Sequence, residues 1–167
     1  MSFARTSRAW LGVIAAILLL GGAALAAGPD IKVQLIGSHQ PAKNSSANFT
    51  ALESGSKVSP GDRILYKILV TNQGDRDASH ASAVGPIPAG TAYVAGTATT
   101  SAELRVDYSV DGGKNFSSTP TITVLGKDGK AQIVPAPADR YTTVRWTWNN
   151  PLPAGAEATV SYQVQVR

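Results

Sequence analysis

Few side chains in this 167-residue chain are equipped for chemistry, and their spacing decides what they could do. There is no cysteine, and the only histidines are His39 and His80. A Ser/His/Asp triad needs a histidine base held by an orienting carboxylate. Asp77 lies near His80, but no nucleophile-elbow pattern accompanies the pair. Both histidines stand among small residues and read as solvent-exposed, so no catalytic residue is assigned. Hard oxygens are the second possibility. Asp75 and Asp77, following Asn72 on one loop, are weak candidates for calcium, and Asp107, Asp111 and Asp128 could converge at the opposite end. Arg76 separates the first pair, no EF-hand spacing is present, and turn formation accounts for aspartates in such places. No metal or other cofactor is expected. Among the aromatics, Tyr66, Tyr108, Trp146, Trp148 and Tyr162 share the apolar parity of their segments and read as core. Trp148, nearer a strand end, could instead stack on a glycan.

The elements that carry these residues are strands. In Leu104-Arg105-Val106-Asp107-Tyr108-Ser109-Val110 every even position is apolar and every odd one polar. Val144 to Trp148 and Val160 to Arg167 repeat that alternation. Successive side chains on a strand point to opposite faces, so each run has one core face and one wet face, as antiparallel sheets require. Residues 63–72 approach two-sided burial, with Ile64, Tyr66, Ile68 and Val70 on one side and Leu65 and Leu69 on the other, which predicts a central strand. Asp111-Gly112-Gly113-Lys114 predicts a hairpin after Val110, and Gly126-Lys127-Asp128-Gly129 predicts one between 121–125 and 131–134, because glycine supplies the positive φ of tight turns. Residues 135–139 read as an extended linker. Pro86-Ile87-Pro88-Ala89-Gly90 and Pro151-Leu152-Pro153-Ala154-Gly155 read as two similar corners leading into strands. Outside the first residues no helical periodicity occurs.

Residues 38–59 are polar apart from a weak strand at 49–52, and read as a surface loop or a flexible arm. Ile31 to Ile36 is a further strand on the far side of that stretch. It could pair within its own domain, or its edge, like that of the C-terminal strand, could accept a strand from a neighbouring molecule.

The first residues read as a leader. Arg5 and Arg8 precede an apolar run from Trp10 to Leu20, and Ala24-Leu25-Ala26-Ala27 offers the small-x-small pattern of signal peptidase, with cleavage after Ala26 or after Ala27. A retained anchor is the competing reading, since the apolar stretch from Leu11 to Ala27 is just long enough to span a bilayer. The expected contact with a membrane is through this leader before cleavage. Without Arg5 and Arg8 the fifteen basic residues fall to thirteen against eleven acidic ones, and the net charge falls from +4 to about +2. No basic cluster follows residue 27, so the footprint of a nucleic-acid binder is missing. The remaining length, about 140 residues, is one domain's worth. An exported domain without disulfides must hold itself together by packing.

Five pieces in order then resemble the bacterial conserved-repeat family called domain of unknown function 11. They are Pro60-Gly61-Asp62, the strand and turn from Tyr66 to Asp75, Pro88-Ala89-Gly90-Thr91, Ser109-Val110-Asp111-Gly112-Gly113-Lys114, and Trp146 to Gly155. The match spans roughly residues 58–167. It implies an immunoglobulin-like antiparallel β-sandwich on exported, cell-surface or envelope proteins, with no catalytic residues to carry over. This chain departs from the family's tandem habit by holding a single copy, and it lacks a sorting signal. The expectation is therefore an all-β protein divided into a signal peptide helix (1–26), an N-terminal strand with a polar arm (27–57) and the sandwich (58–167). It would be a non-enzymatic structural or protein-interaction module in the periplasm, on the cell surface or outside the cell. Its partners would be envelope or surface proteins, or further copies of itself through strand edges. The alternative is a glycan- or calcium-binding module.

Overall fold

A computed structural model describes residues 28–44, 46–53 and 55–167. The signal peptide helix expected over 1–26 lies outside them. The described chain is all-β, with ten strands in three antiparallel sheets. The strands are β1 (Ile31–Gln40), β2 (Thr50–Ala51), β3 (Arg63–Asn72), β4 (Ser82–Pro86), β5 (Thr91–Tyr93), β6 (Leu104–Ser109), β7 (Thr121–Leu125), β8 (Ala131–Pro135), β9 (Thr143–Trp148) and β10 (Glu157–Val166). The first sheet runs β2-β1-β3-β10-β5, the second β4-β9-β6, and β7-β8 is a separate hairpin. Two single 3-10 turns, Ala42–Asn44 and Ala138–Arg140, are the helical segments among the described residues.

The alternation seen in the sequence becomes burial. Ile64, Ile68 and Val70 on β3 point into the core with Val160, Tyr162 and Val164 on β10 and Val144 and Trp146 on β9. Trp146 is fully buried, and its indole N–H donates to the Thr99 carbonyl at 3.0 Å. Its ring lies 5.7 Å from that of Tyr162, which also stacks on Tyr66 at 5.3 Å. Tyr162 reaches from the first sheet to the second and donates its hydroxyl hydrogen to the Pro86 carbonyl. Gly85 makes room for it, since a Cβ there would lie 2.5 Å from the tyrosine ring.

The long run 63–72 is a central strand as expected, held by β1 on one side and β10 on the other. The two proline corners are the same turn. Pro88 O accepts the Thr91 N–H at 3.1 Å and Pro153 O the Ala156 N–H at 3.0 Å, with Gly90 and Gly155 at positive φ, as the third residue of a type II turn demands. The Gly126–Gly129 turn closes β7 on β8. Three details differ from expectation. After Val110 the chain makes only an isolated bridge, Tyr108 to Ser117, because Asp111 winds the loop onto itself before a second strand can run. The extended linker is shorter than expected, since Pro135 ends β8 and Ala138–Arg140 coils. The N-terminal strand runs past Ile36 to Gln40, and it pairs with β3 over all ten of its residues, the first of the two readings its sequence offered.

A candidate interaction edge

Asn72, at the end of β3, ties the start of β1 into this framework. Its side chain is fully buried, and its amide donates to the carbonyls of Arg76 (2.7 Å), Leu152 (3.0 Å) and Pro153 (3.2 Å). Its Oδ1 accepts the N–H groups of Asp30 (3.3 Å) and Gly74 (3.2 Å). The Asp30 carbonyl accepts the Gln73 N–H at 2.7 Å. Gly74 permits this contact, because a Cβ there would fall 2.2 Å from the Gly28 carbonyl oxygen.

The other end of β1 is clasped by Asp62. Its carboxylate accepts the N–H of Ala42 and of Ser59, each at 2.8 Å, and meets Nε2 of His39 at 2.8 Å. These contacts, the Ala42 N–H first, hold the Asp62 carboxyl down at about 2. The expected exposure of His39 is corrected here. The imidazole is pulled onto Asp62 and its side chain is only 18% exposed, whereas His80 is exposed. Nothing in the local sequence announces this contact, since the partners stand 23 residues apart.

Between the two clasps β1 presents its free side. Directly paired residues of antiparallel strands point to the same face. Val33 opposes Val70 and Leu35 opposes Ile68, so both point to the core side of the sheet. Yet Val33 is 52% and Leu35 47% exposed, while Val70 and Ile68 are buried. The β1 strand thus carries its apolar face past the cover of the second sheet. The backbone repeats the message. Main-chain groups of successive strand residues point alternately to either side. Asp30 O faces β3 and Gly37 O faces β2, where it accepts the Leu52 N–H at 3.0 Å. Ile31, Val33 and Leu35 therefore aim N–H and C=O away from β3, where no described strand pairs with them. Residues 31–36 form the longest strand run with an open side among the described residues. The C-terminal strand does not share this property. The β10 strand is interior, with β5 on Val164–Val166 and residues 94–99 bonding along Ser161 and Gln163.

The remaining candidates are accounted for locally. Asp75 is exposed, and Asp77 accepts the Ala154 N–H at 3.2 Å. Asp107 pairs with Arg145 at 2.9 Å and Arg105 at 3.1 Å. Arg145 also lies 4.1 Å over the Phe116 ring. Asp111 takes the Ser109 hydroxyl and the N–H groups of Lys114 and Asn115, bonds that depress its pKa, the Asn115 N–H foremost. Asp128 accepts the Lys130 N–H. The described residues bring together no group of three or more His, Cys, Asp or Glu side chains. Trp148 is half-buried and packs against the core. Tyr93 of β5, Tyr108 of β6 and Tyr141 cluster with ring centroids 4.6–5.8 Å apart. A cleft of about 540 Å³ lies between the β7–β8 hairpin and the first proline corner. Its Arg167 is engaged with the Asp139 carbonyl and carboxylate. No helix among the described residues is long and apolar enough to cross a membrane. No family model matches the chain, and no curated protein or solved structure matches it.

Proposed function

We propose that the chain is an exported, non-enzymatic immunoglobulin-like β-sandwich module of the bacterial cell envelope that engages other protein chains by strand addition at β1. The observation that carries this reading is the β1 edge, where unpaired main-chain groups and half-exposed Ile31, Val33 and Leu35 occur on the same residues. An extended segment laid there gains main-chain hydrogen bonds and buries alternate side chains. Two antiparallel sheets sharing one core around Trp146 and Tyr162 support the sandwich assignment and the resemblance to domain of unknown function 11. The leader-like residues 1–26 support export to the periplasm, the cell surface or the medium. The glycan- or calcium-binding alternative has less to stand on, because Trp148 packs against the core and Asp77 is engaged with Ala154.

The test is expression with the native N-terminus in a Gram-negative host, followed by fractionation and by photo-crosslinking from position 33 or from the outward-facing position 69. Export predicts a shortened protein in the periplasm or medium, and strand addition predicts crosslinks from 33 with few from 69. An unprocessed cytosolic protein would overturn the export reading. Equal crosslinking from both positions would overturn the edge.

A further inference from the structure

Resting on that reading of the β1 edge, we infer that its partner is a second copy of this chain, paired antiparallel through β1 with Val33 on the twofold axis.

The length of the open edge sets the register. At its far end Leu52 N–H already holds Gly37 O, and β2 covers Ser38 and His39. An incoming strand therefore has residues 31–36 to work with. In a symmetric antiparallel pair the copies meet at residues whose numbers sum to a constant, so the centre of the free stretch becomes the centre of the pair. Centring on Val33 sets Ile31 against Leu35, Val33 against Val33, and Leu35 against Ile31. All of these carry outward main-chain groups, so the pair closes about six hydrogen bonds and leaves β2 in place. Centring on Gln34 would set Ile31 against Gly37, whose carbonyl is occupied.

The side chains fit the same register. Odd residues meet odd residues, so Ile31, Val33 and Leu35 of each copy join in one apolar stripe on the core side of the sheet. Exposures of 37%, 52% and 47% show how much of that stripe a lone molecule leaves wet. The charges also agree. Lys32 faces Gln34 of the second copy and Asp30 faces Ile36, so no charge sits directly opposite its like, and the two Lys32 side chains, diagonal neighbours, lie on the wet face where water screens them. Edge strands that remain monomeric commonly carry an inward-pointing charge or a proline, and residues 31–36 have neither on the core side. The joined first sheets would run continuously from β5 of one copy to β5 of the other.

The absence of cysteine makes a direct test available, because each introduced thiol is unique. Hydrogen-bonded cross-strand pairs hold their Cα atoms ~5.5 Å apart, inside the ~4.4–6.8 Å range of disulfides. The protein, expressed with its native N-terminus and purified as it accumulates, is oxidised with glutathione disulfide. Val33→Cys is expected to give a covalent dimer alone. Ile31→Cys and Leu35→Cys should give one only when mixed, and Gln34→Cys none. Sedimentation equilibrium of the unmodified protein should show a concentration-dependent dimer. Val33→Lys, which sets two ammonium groups face to face at an exposed site, should weaken it at least ~10-fold, with an unchanged melting temperature at concentrations low enough for both proteins to be monomeric. A monomer throughout, or Gln34→Cys crosslinking as well as Val33→Cys, would overturn self-pairing. If position 33 then still crosslinks to a different protein in the envelope, strand addition survives and only the identity of the partner is refuted.

Discussion

Asn72→Asp should turn a buried hub into a pH-dependent fault. The native amide points its two hydrogens at the carbonyls of Arg76, Leu152 and Pro153, 2.7–3.2 Å away. A carboxylate there would face three oxygens in a fully buried site. Burial and the surrounding carbonyls both favour its protonated form, so the folded-state pKa rises above the unfolded ~3.9. A rise of about three units costs ~4 kcal/mol at neutral pH, at ~1.4 kcal/mol per unit. The sign follows from linkage. The variant's stability is greatest below pH ~4 and is lost as pH rises through the raised folded pKa. Asn72→Leu supplies the control. It leaves the N–H groups of Asp30 and Gly74 and the Arg76 carbonyl without their partner. The carbonyls of Leu152 and Pro153 keep the N–H groups of Ala78 and Ala156. Three stranded groups, partly able to reach water, cost ~3–5 kcal/mol at any pH. Urea titrations read by tryptophan fluorescence at pH 4 and pH 7.5, each referred to the native chain at the same pH, separate the cases. A pH-independent deficit in Asn72→Asp, or a loss under ~1 kcal/mol in Asn72→Leu, would refute the hub.

Three further outcomes are expected. Gly85→Ala drives a Cβ to 2.5 Å from the Tyr162 ring and should cost ~1–3 kcal/mol. Scanning calorimetry should show that loss shrink when Tyr162→Leu is already present, and full additivity would dismiss the contact. Gly74→Ala collides with the backbone of residues 28–30, so hydrogen exchange at the Lys32 and Gln34 amides should speed up at least ~10-fold while the β9 amides stay protected. Unchanged protection would disprove the anchoring. Because the Asp62 carboxyl is held down at about 2, the stability it supplies is present above the ordinary carboxylate value and lost as pH falls toward 2. The gap between the native chain and Asp62→Asn should therefore close between pH ~4 and ~2 in an acid titration. A gap constant across that range would contradict the clasp.

The faces of the strands were legible from the amino acids, and their neighbours were not. Period-two alternation marks Ile64, Ile68, Val144, Trp146, Val160 and Tyr162 as inward-facing, and all are buried. It marks Ile31, Val33 and Leu35 in the same way, although these lie half-exposed. Alternation records which side chains share a face, while cover depends on the width of the opposite sheet, and that is decided by strands far away in the chain. The same limit hid the role of Asp62. Pro60-Gly61-Asp62 reads as a turn, and Asp62 N–H does bond Ser59 O. The carboxylate, however, is spent on Ala42 and His39, about twenty residues upstream. Turn chemistry is local enough to be read directly, as at the Pro88 and Pro153 corners. The aspartates are used locally for a related reason. Asp111 and Asp128 bond groups of their own turns, Asp77 and Asp107 bond neighbouring elements, and Asp75 is exposed, so the described residues bring them to no shared centre.

The place of β10 has a consequence in time. It lies between β3 and β5, and Thr71 of β3 meets Glu157, 86 positions further along the chain. The β1–β3 pair can zip early, being close in sequence, but one flank of β3 stays bare until residues 157–166 arrive. Such distant closure is slow. An emerging polypeptide would thus remain unlocked, and threadable, until nearly all of these strands had been made.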